Sequence, residues 1–108
     1  MVGEFLERQA RTGQLISYAQ VVAHFPDLPP LTEAWLGHPL CKIFGELDDE
    51  DGHSARPFRT ALVISKEAGM PEQGFFETAQ KLRWKQIRKS DHPKFWVDEV
   101  RAVLEYYK

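Results

Sequence analysis

Proline and glycine cut this chain into pieces too short for any long regular element. Gly13 follows a first apolar pattern, Pro26-Asp27-Leu28-Pro29-Pro30 makes a stiff connector, Pro39 interrupts a third stretch, and Gly69-Met70-Pro71 divides a fourth. Each proline fixes its own φ and lacks a backbone donor, so a helix or central strand must stop, kink or restart there. The pieces add up to 108 residues. A chain of that length buries roughly two-thirds of its extended surface, enough for one core and too little for two. Residues 1–108 are therefore expected to form a single domain.

Between the breaks, apolar spacing assigns the elements. Val2, Phe5, Leu6 and Gln9/Ala10 recur at helical intervals, and Gly13 can close that helix in the left-handed conformation. Leu15-Ile16 is a short apolar pair. Ser17-Tyr18-Ala19-Gln20 fits a capping box, opening a helix that shows Tyr18, Val21, Val22 and Phe25 on one side. Thr32 is the expected cap of the next piece, where Leu31, Trp35, Leu36, Leu40, Ile43, Phe44 and Leu47 form a stripe with a kink or restart near Gly37-His38-Pro39. The acidic run at 48–52 should end that helix, since negative charge opposes the dipole at a C-terminus. Residues 57–65 change character: Phe58, Thr60, Ala61, Leu62, Val63 and Ile64 read as a strand, 66–71 as a connector, and Gly74-Phe75-Phe76 as a return strand. A helix over 78–88 follows, with Leu82 and Ile87 inward. Asp91 then caps a last helix carrying Phe95/Trp96, Val100, Val103/Leu104 and Tyr107.

That order predicts an α+β, mostly helical fold of winged-helix-like layout. The helix-turn-helix pair is 17–25 with 31–47, the β-hairpin wing is 58–76, and an added C-terminal helix packs back across the core through Trp96, Val100, Val103 and Tyr107.

Charge divides the chain. The net charge is −2, yet residues 1–57 hold four basic against nine acidic side chains and residues 58–108 hold ten against seven. Most of the excess lies at 81–94, where Lys81, Arg83, Lys85, Arg88, Lys89 and Lys94 face only Asp91. A general polyanion binder is basic throughout, so a nucleic-acid contact here should be confined to one face. A self-complementary dipole that aids solubility or packs head to tail with a second copy fits the same split. The second half of the helix-turn-helix offers Thr32, Glu33, His38 and Lys42 and ends in acids, which disfavours its insertion in a major groove. Trp84 lies inside the basic stretch. Cations beside an aromatic ring can hold phosphates while the ring stacks on an unpaired base. A large aromatic on a short helix is more often core, with the lysines a solvated face, and that reading weighs more.

Enzymatic and metal chemistry find little support. His24, His38, His53 and His92 share no ligand spacing, and His38 with Cys41 supplies only two ligands. Glu46, Asp48, Asp49, Glu50 and Asp51 lack the alternating ligand and glycine pattern of a calcium loop and read as a solvated turn. No phosphate loop, serine elbow or paired-acid motif occurs, so no catalysis, metal or cofactor is expected. The single cysteine excludes an internal disulfide, no apolar run approaches the ~18 residues of a membrane helix, and Glu4 and Glu7 stand where a signal peptide is basic then apolar. A soluble cytoplasmic protein without membrane association is expected.

Two resemblances follow from particular residues. Gly13-Gln14-Leu15-Ile16-Ser17-Tyr18-Ala19-Gln20-Val21-Val22-Ala23, with Leu36-Gly37-His38-Pro39-Leu40, resembles the winged-helix DNA-binding domain of the alkylguanine-DNA alkyltransferase and alkyltransferase-like family. That family places a reactive Pro-Cys-His-Arg motif before a strand; here the strand reads Arg59-Thr60-Ala61-Leu62-Val63-Ile64, the motif is missing and Cys41 lies elsewhere, so alkyl transfer is not implied. Ala61-Leu62-Val63-Ile64-Ser65-Lys66 followed by Gly69-Met70-Pro71-Glu72-Gln73-Gly74-Phe75-Phe76 is similar to a small bacterial and mobile-element domain. The leading expectation is a non-catalytic nucleic-acid-associated module that touches phosphates through Arg59, Lys66, Lys81, Arg83, Lys85, Arg88, Lys89 and Lys94. The competing one is a protein-binding module, such as a mobile-element factor that inhibits a host complex, engaging a basic partner through Glu46, Asp48, Asp49, Glu50 and Asp51.

Overall fold

The computed structural model describes residues 1–31 and 38–108. Helix α1 (Val2–Thr12) buries Val2, Leu6 and Ala10 at intervals of four, and Gly13 ends it at φ 73° with its N–H on the Ala10 carbonyl. Only a residue without Cβ adopts that conformation cheaply. Strand β1 (Ile16–Ser17) leads directly into α2 (Tyr18–His24). The capping box at this junction is reciprocal: Ser17 Oγ accepts from the Gln20 N–H at 3.1 Å, and Gln20 Oε1 accepts from the Ser17 N–H at 2.9 Å.

Helix α3 (Pro39–His53) restarts at the expected break. Pro39 occupies the first helical position, where its missing N–H has no intrahelical acceptor to lose. His38 caps it, its Nδ1 accepting from the Leu40 N–H at 3.0 Å, which leaves Nε2 to donate to the Pro29 carbonyl at 2.8 Å. Thr32, Glu33, Trp35, Leu36 and Gly37, to which the sequence assigned a cap and part of the apolar stripe, lie outside the described residues.

The next segment departs from expectation. Residues 58–76 make no hairpin. Arg59–Leu62 is a 3-10 turn, followed by β2 (Val63–Ile64), which pairs in parallel with β1 in the register Ile16 to Val63 and Ser17 to Ile64. Gly74-Phe75-Phe76 belongs to α4 (Gln73–Leu82), and a second 3-10 turn (Lys89–Asp91) precedes α5 (His92–Tyr106). Parallel strands cannot be joined by a tight turn and need a long crossover, here supplied by everything between residues 17 and 63. Two burial patterns explain the difference. Residues 58–63 are all buried, which is not the alternation of a half-exposed ribbon strand, and Phe75, Phe76 and Ala79 repeat with a helical period.

Among the described residues, the apolar interior has two clusters. One gathers Val2, Leu6, Ile16, Tyr18, Val21, Leu40, Phe44, Leu47 and Val63; the other Ala10, Phe58, Ala61, Leu62, Phe75, Phe76, Ala79, Ile87 and Val103. The segment 58–63 feeds both and is the spine of the molecule. The last helix packs back across it as expected: Val103 is fully buried, and Trp96 Nε1 donates to the Ala61 carbonyl at 2.8 Å. No described helix is long and apolar enough to cross a membrane. The structure is α+β and mostly helical, with a two-stranded parallel sheet.

Candidate functional site

Among the described residues, an unusual side chain stands at the end of α4. The helix closes in a Schellman motif: the Lys85 N–H returns to the Gln80 carbonyl at 3.1 Å, and the Trp84 N–H points to the Lys81 carbonyl at 3.4 Å. Glycine normally fills the left-handed position of this motif. Here it is Trp84, at φ 51°, with its side chain projecting into solvent and the residue 95% exposed. A side chain with a Cβ costs about 1–2 kcal/mol in that conformation, and an exposed indole gains nothing from the core. The expectation of a buried Trp84 is therefore reversed. The sequence held the signal: Gln80 and Lys81, four and three residues earlier, give the ring no apolar partner on its own helix.

Near Trp84 in sequence lie Lys81, Lys85, Arg88 and Lys89, all exposed and, among the described residues, without an ion-pair partner. Lys85 and Lys94 line one shallow depression of about 230 Å³ with Phe95, Asp91 and Asp98. Lys94 donates to Asp98 at 2.9 Å, and this contact raises the ammonium pKa and lowers that of the carboxyl. Lys66 is exposed in the turn after β2, where the Gly69 N–H returns to the Ser65 carbonyl.

Two predicted phosphate contacts are structural instead. Arg59 is 5% exposed, its Nη1 3.0 Å from Glu7 Oε2, its Nε and backbone N–H both on Asp51 Oδ2. Asp51 Oδ1 lies 3.1 Å from Arg59 Nη2 and 3.3 Å from Arg56 Nε, ion contacts that are not hydrogen bonds. Hydrogen bonding and the charge of Asp51 outweigh desolvation and hold the Arg59 guanidinium above its ordinary pKa. Arg83 donates to Glu99 Oε2 at 2.7 Å and lies over the Phe58 ring, 4.4 Å from its centroid. Positive charge is also not confined to 81–94, because Arg11, Arg101 and Lys108 line a second depression with Glu105.

The acidic run is no solvated turn. It continues α3 to His53, with Asp48 and Asp51, three residues apart, on the inward face. Asp51 is fully buried on Arg59, and Glu50 Oε1 lies 3.5 Å from Arg59 Nη2. Asp48 is 5% exposed and accepts from Thr60 Oγ1 at 2.6 Å. Burial pushes its pKa up to about 7; the Thr60 hydrogen bond opposes this, and the neighbouring charges of Asp51 and Asp49 add to it. Of the five acids, Glu46, Asp49 and Glu50 remain exposed.

Asp48 and Thr60 line a cavity of about 480 Å³ whose walls include Tyr18, Phe44 and Phe75. The Tyr18 hydroxyl accepts from the Glu72 N–H at 3.0 Å, anchoring the start of α4 to α2, and burial raises its pKa further above neutrality. Sequence reasoning missed this cavity, because its walls come from segments distant in the chain.

Comparison with known proteins returns no matching family model, no matching curated protein and no matching solved structure.

Proposed function

We propose that this protein is a non-catalytic nucleic-acid-associated module of winged-helix-like layout, binding phosphates with the exposed cations of 81–94 and stacking an unpaired base on Trp84. The observation that carries this reading is Trp84 itself: a large ring at a strained glycine position, fully presented to solvent, between Lys81 and Lys85. Strain retained without a packing benefit points to use of the side chain. Stacking on an aromatic ring and salt-sensitive phosphate contacts are the two components of single-strand binding.

The element order fits this reading in part: α2 and α3 would serve as the helix-turn-helix pair, the described residues form no hairpin wing, and Lys66 is exposed in the turn at 65–70. Arg59-Thr60-Ala61-Leu62, ahead of Val63–Ile64, supplies no reactive thiol, so alkyl transfer is not part of this reading. The acidic alternative is weakened, since Asp48 and Asp51 are buried and Glu50 is engaged with Arg56 and Arg59.

A salt titration with a fluorescent oligothymidine and a duplex of equal length tests the proposal. Affinity for the single strand should fall steeply with salt, and Trp84→Ala should weaken it about tenfold, in line with about 1–3 kcal/mol per stacked base. No binding of either polymer at low salt would remove the reading.

A further inference from the structure

Lys94 differs in its surroundings from most cations of the basic stretch. With Lys85 it lines the shallow depression between the 85–87 segment and the start of α5, and the same wall carries two carboxylates, Asp91 and Asp98. Carboxylates repel phosphates, so a surface built only to hold a nucleic-acid backbone gains nothing from them. They are acceptor-only groups, and the donors of a nucleic acid lie chiefly on the edges of its bases.

The two carboxylates are held differently. Asp98 takes the Lys94 ammonium at 2.9 Å and fixes its place, and the ammonium has further N–H groups to give. Asp91 stands at the N-cap position of α5 but makes no side-chain cap hydrogen bond, forgoing a contact usually worth about 1 kcal/mol. It is exposed and, among the described residues, has no ion-pair partner, yet it lies near enough to Lys94 for its charge to act on that ammonium. Buried Ile87 and half-buried Phe95 supply the apolar part of the wall. The depression measures about 230 Å³. That is below the ~300–1,000 Å³ of sites that enclose a whole small molecule, and it suits one base with its sugar and phosphate left outside.

We infer that this depression reads guanine in a single strand, with Asp91 accepting from the N1–H and N2–H groups of the base and Lys94 donating to O6. The inference rests on the nucleic-acid reading above and names the base that the same surface prefers. Guanine is the base whose pairing edge sets two adjacent donors beside a carbonyl, which a carboxylate next to an ammonium complements. Adenine and cytosine offer one amine beside acceptors. Thymine sets its single N–H between two carbonyls, which a carboxylate repels. Lys85, next to Trp84 in the chain and on the same wall, serves the adjoining phosphate.

The test is fluorescence anisotropy of the whole chain at one fixed low salt with three labelled strands. These are oligothymidine and the same strand with one central deoxyguanosine or deoxyinosine, the latter lacking the N2 amine. The guanosine strand should bind about tenfold more tightly than oligothymidine, the scale of one bidentate base contact, with inosine between them. Asp91→Asn should bring the guanosine strand to the level of oligothymidine without weakening oligothymidine itself. Lys94→Gln should weaken the guanosine and inosine strands alike, since both carry O6. Both positions are exposed, so neither exchange disturbs the core. Equal affinity for the three strands, or a guanosine preference that survives either variant, overturns the inference and leaves the nucleic-acid reading in place. No binding of any strand removes both.

Discussion

The Phe58 N–H donates to Glu99 Oε2 at 2.7 Å, joining residues 41 apart in sequence inside the second apolar cluster. The same oxygen accepts from Arg83 at 2.7 Å, so one carboxylate anchors both the spine segment and the end of α4. Glu99→Ala strands a buried N–H and a partly buried guanidinium. Loss of stability of about 2–4 kcal/mol is expected in urea unfolding, with Glu99→Gln losing roughly half as much because it keeps an acceptor.

Asp48 makes stability depend on pH in an unusual direction. Its folded pKa, pushed up to about 7, lies above the ordinary carboxyl value, so the native state holds a proton that the unfolded chain releases. Stability from this group is complete below about pH 4 and is lost as pH rises towards 7, with a total on the order of 4 kcal/mol. Asp48→Asn should match the wild type near pH 4 and exceed it at pH 8, as read from paired thermal melts.

Gly3 has no room for a side chain. A Cβ built there would lie 2.7 Å from Arg59 Nη1 and 3.0 Å from Leu47 Cδ2, and Arg59 is held by Glu7 and Asp51. Despite alanine's better helix propensity, Gly3→Ala should cost about 1–2 kcal/mol by displacing that guanidinium, measured by chemical denaturation.

Ala55 and Trp84 sit at left-handed positions after α3 and α4, at φ 56° and 51°. Ala55→Gly and Trp84→Gly should each stabilise the fold by about 0.5–1 kcal/mol. Only Trp84→Gly should reduce single-strand affinity. A stabilised variant that loses binding would show that the indole is retained for contact and not for folding.

Neutralising Lys85 and Lys89 together should flatten the salt dependence of single-strand binding, by about 0.7 in the logarithmic slope for each phosphate contact removed. Neutralising Arg101 and Lys108, in the other depression, should leave the slope unchanged. A salt titration of the two double variants distinguishes them.

Local chemistry is well written in the chain. Gly13, the Ser17–Gln20 box and the restart at Pro39 behave as their side chains dictate, because each depends on a few neighbouring atoms. The apolar period of the last helix also carries through to Val103. Residues 58–76 mislead because β-branched content resembles a strand whether burial comes from one side or from all sides. Only the arrival of α1, α3 and α5 against Arg59–Leu62 decides between them. The acids of α3 mislead for a related reason: Arg59 follows Asp51 by eight residues, and nothing local announces that the turn between them brings guanidinium onto carboxylate. The exposure of Trp84 is legible in its polar helical neighbours, although the usual fate of tryptophan argues against it.

Ile16 and Val63 run side by side in the same direction, and that pairing has a consequence for how the chain is divided. A fragment stopping before residue 58 would expose the flank of Ile16, while one starting there would leave Val63 without its mate. Neither piece should gain lasting order by itself. Mixing the two should restore what each lacks, making the short central seam a test of whether the halves are one cooperative body.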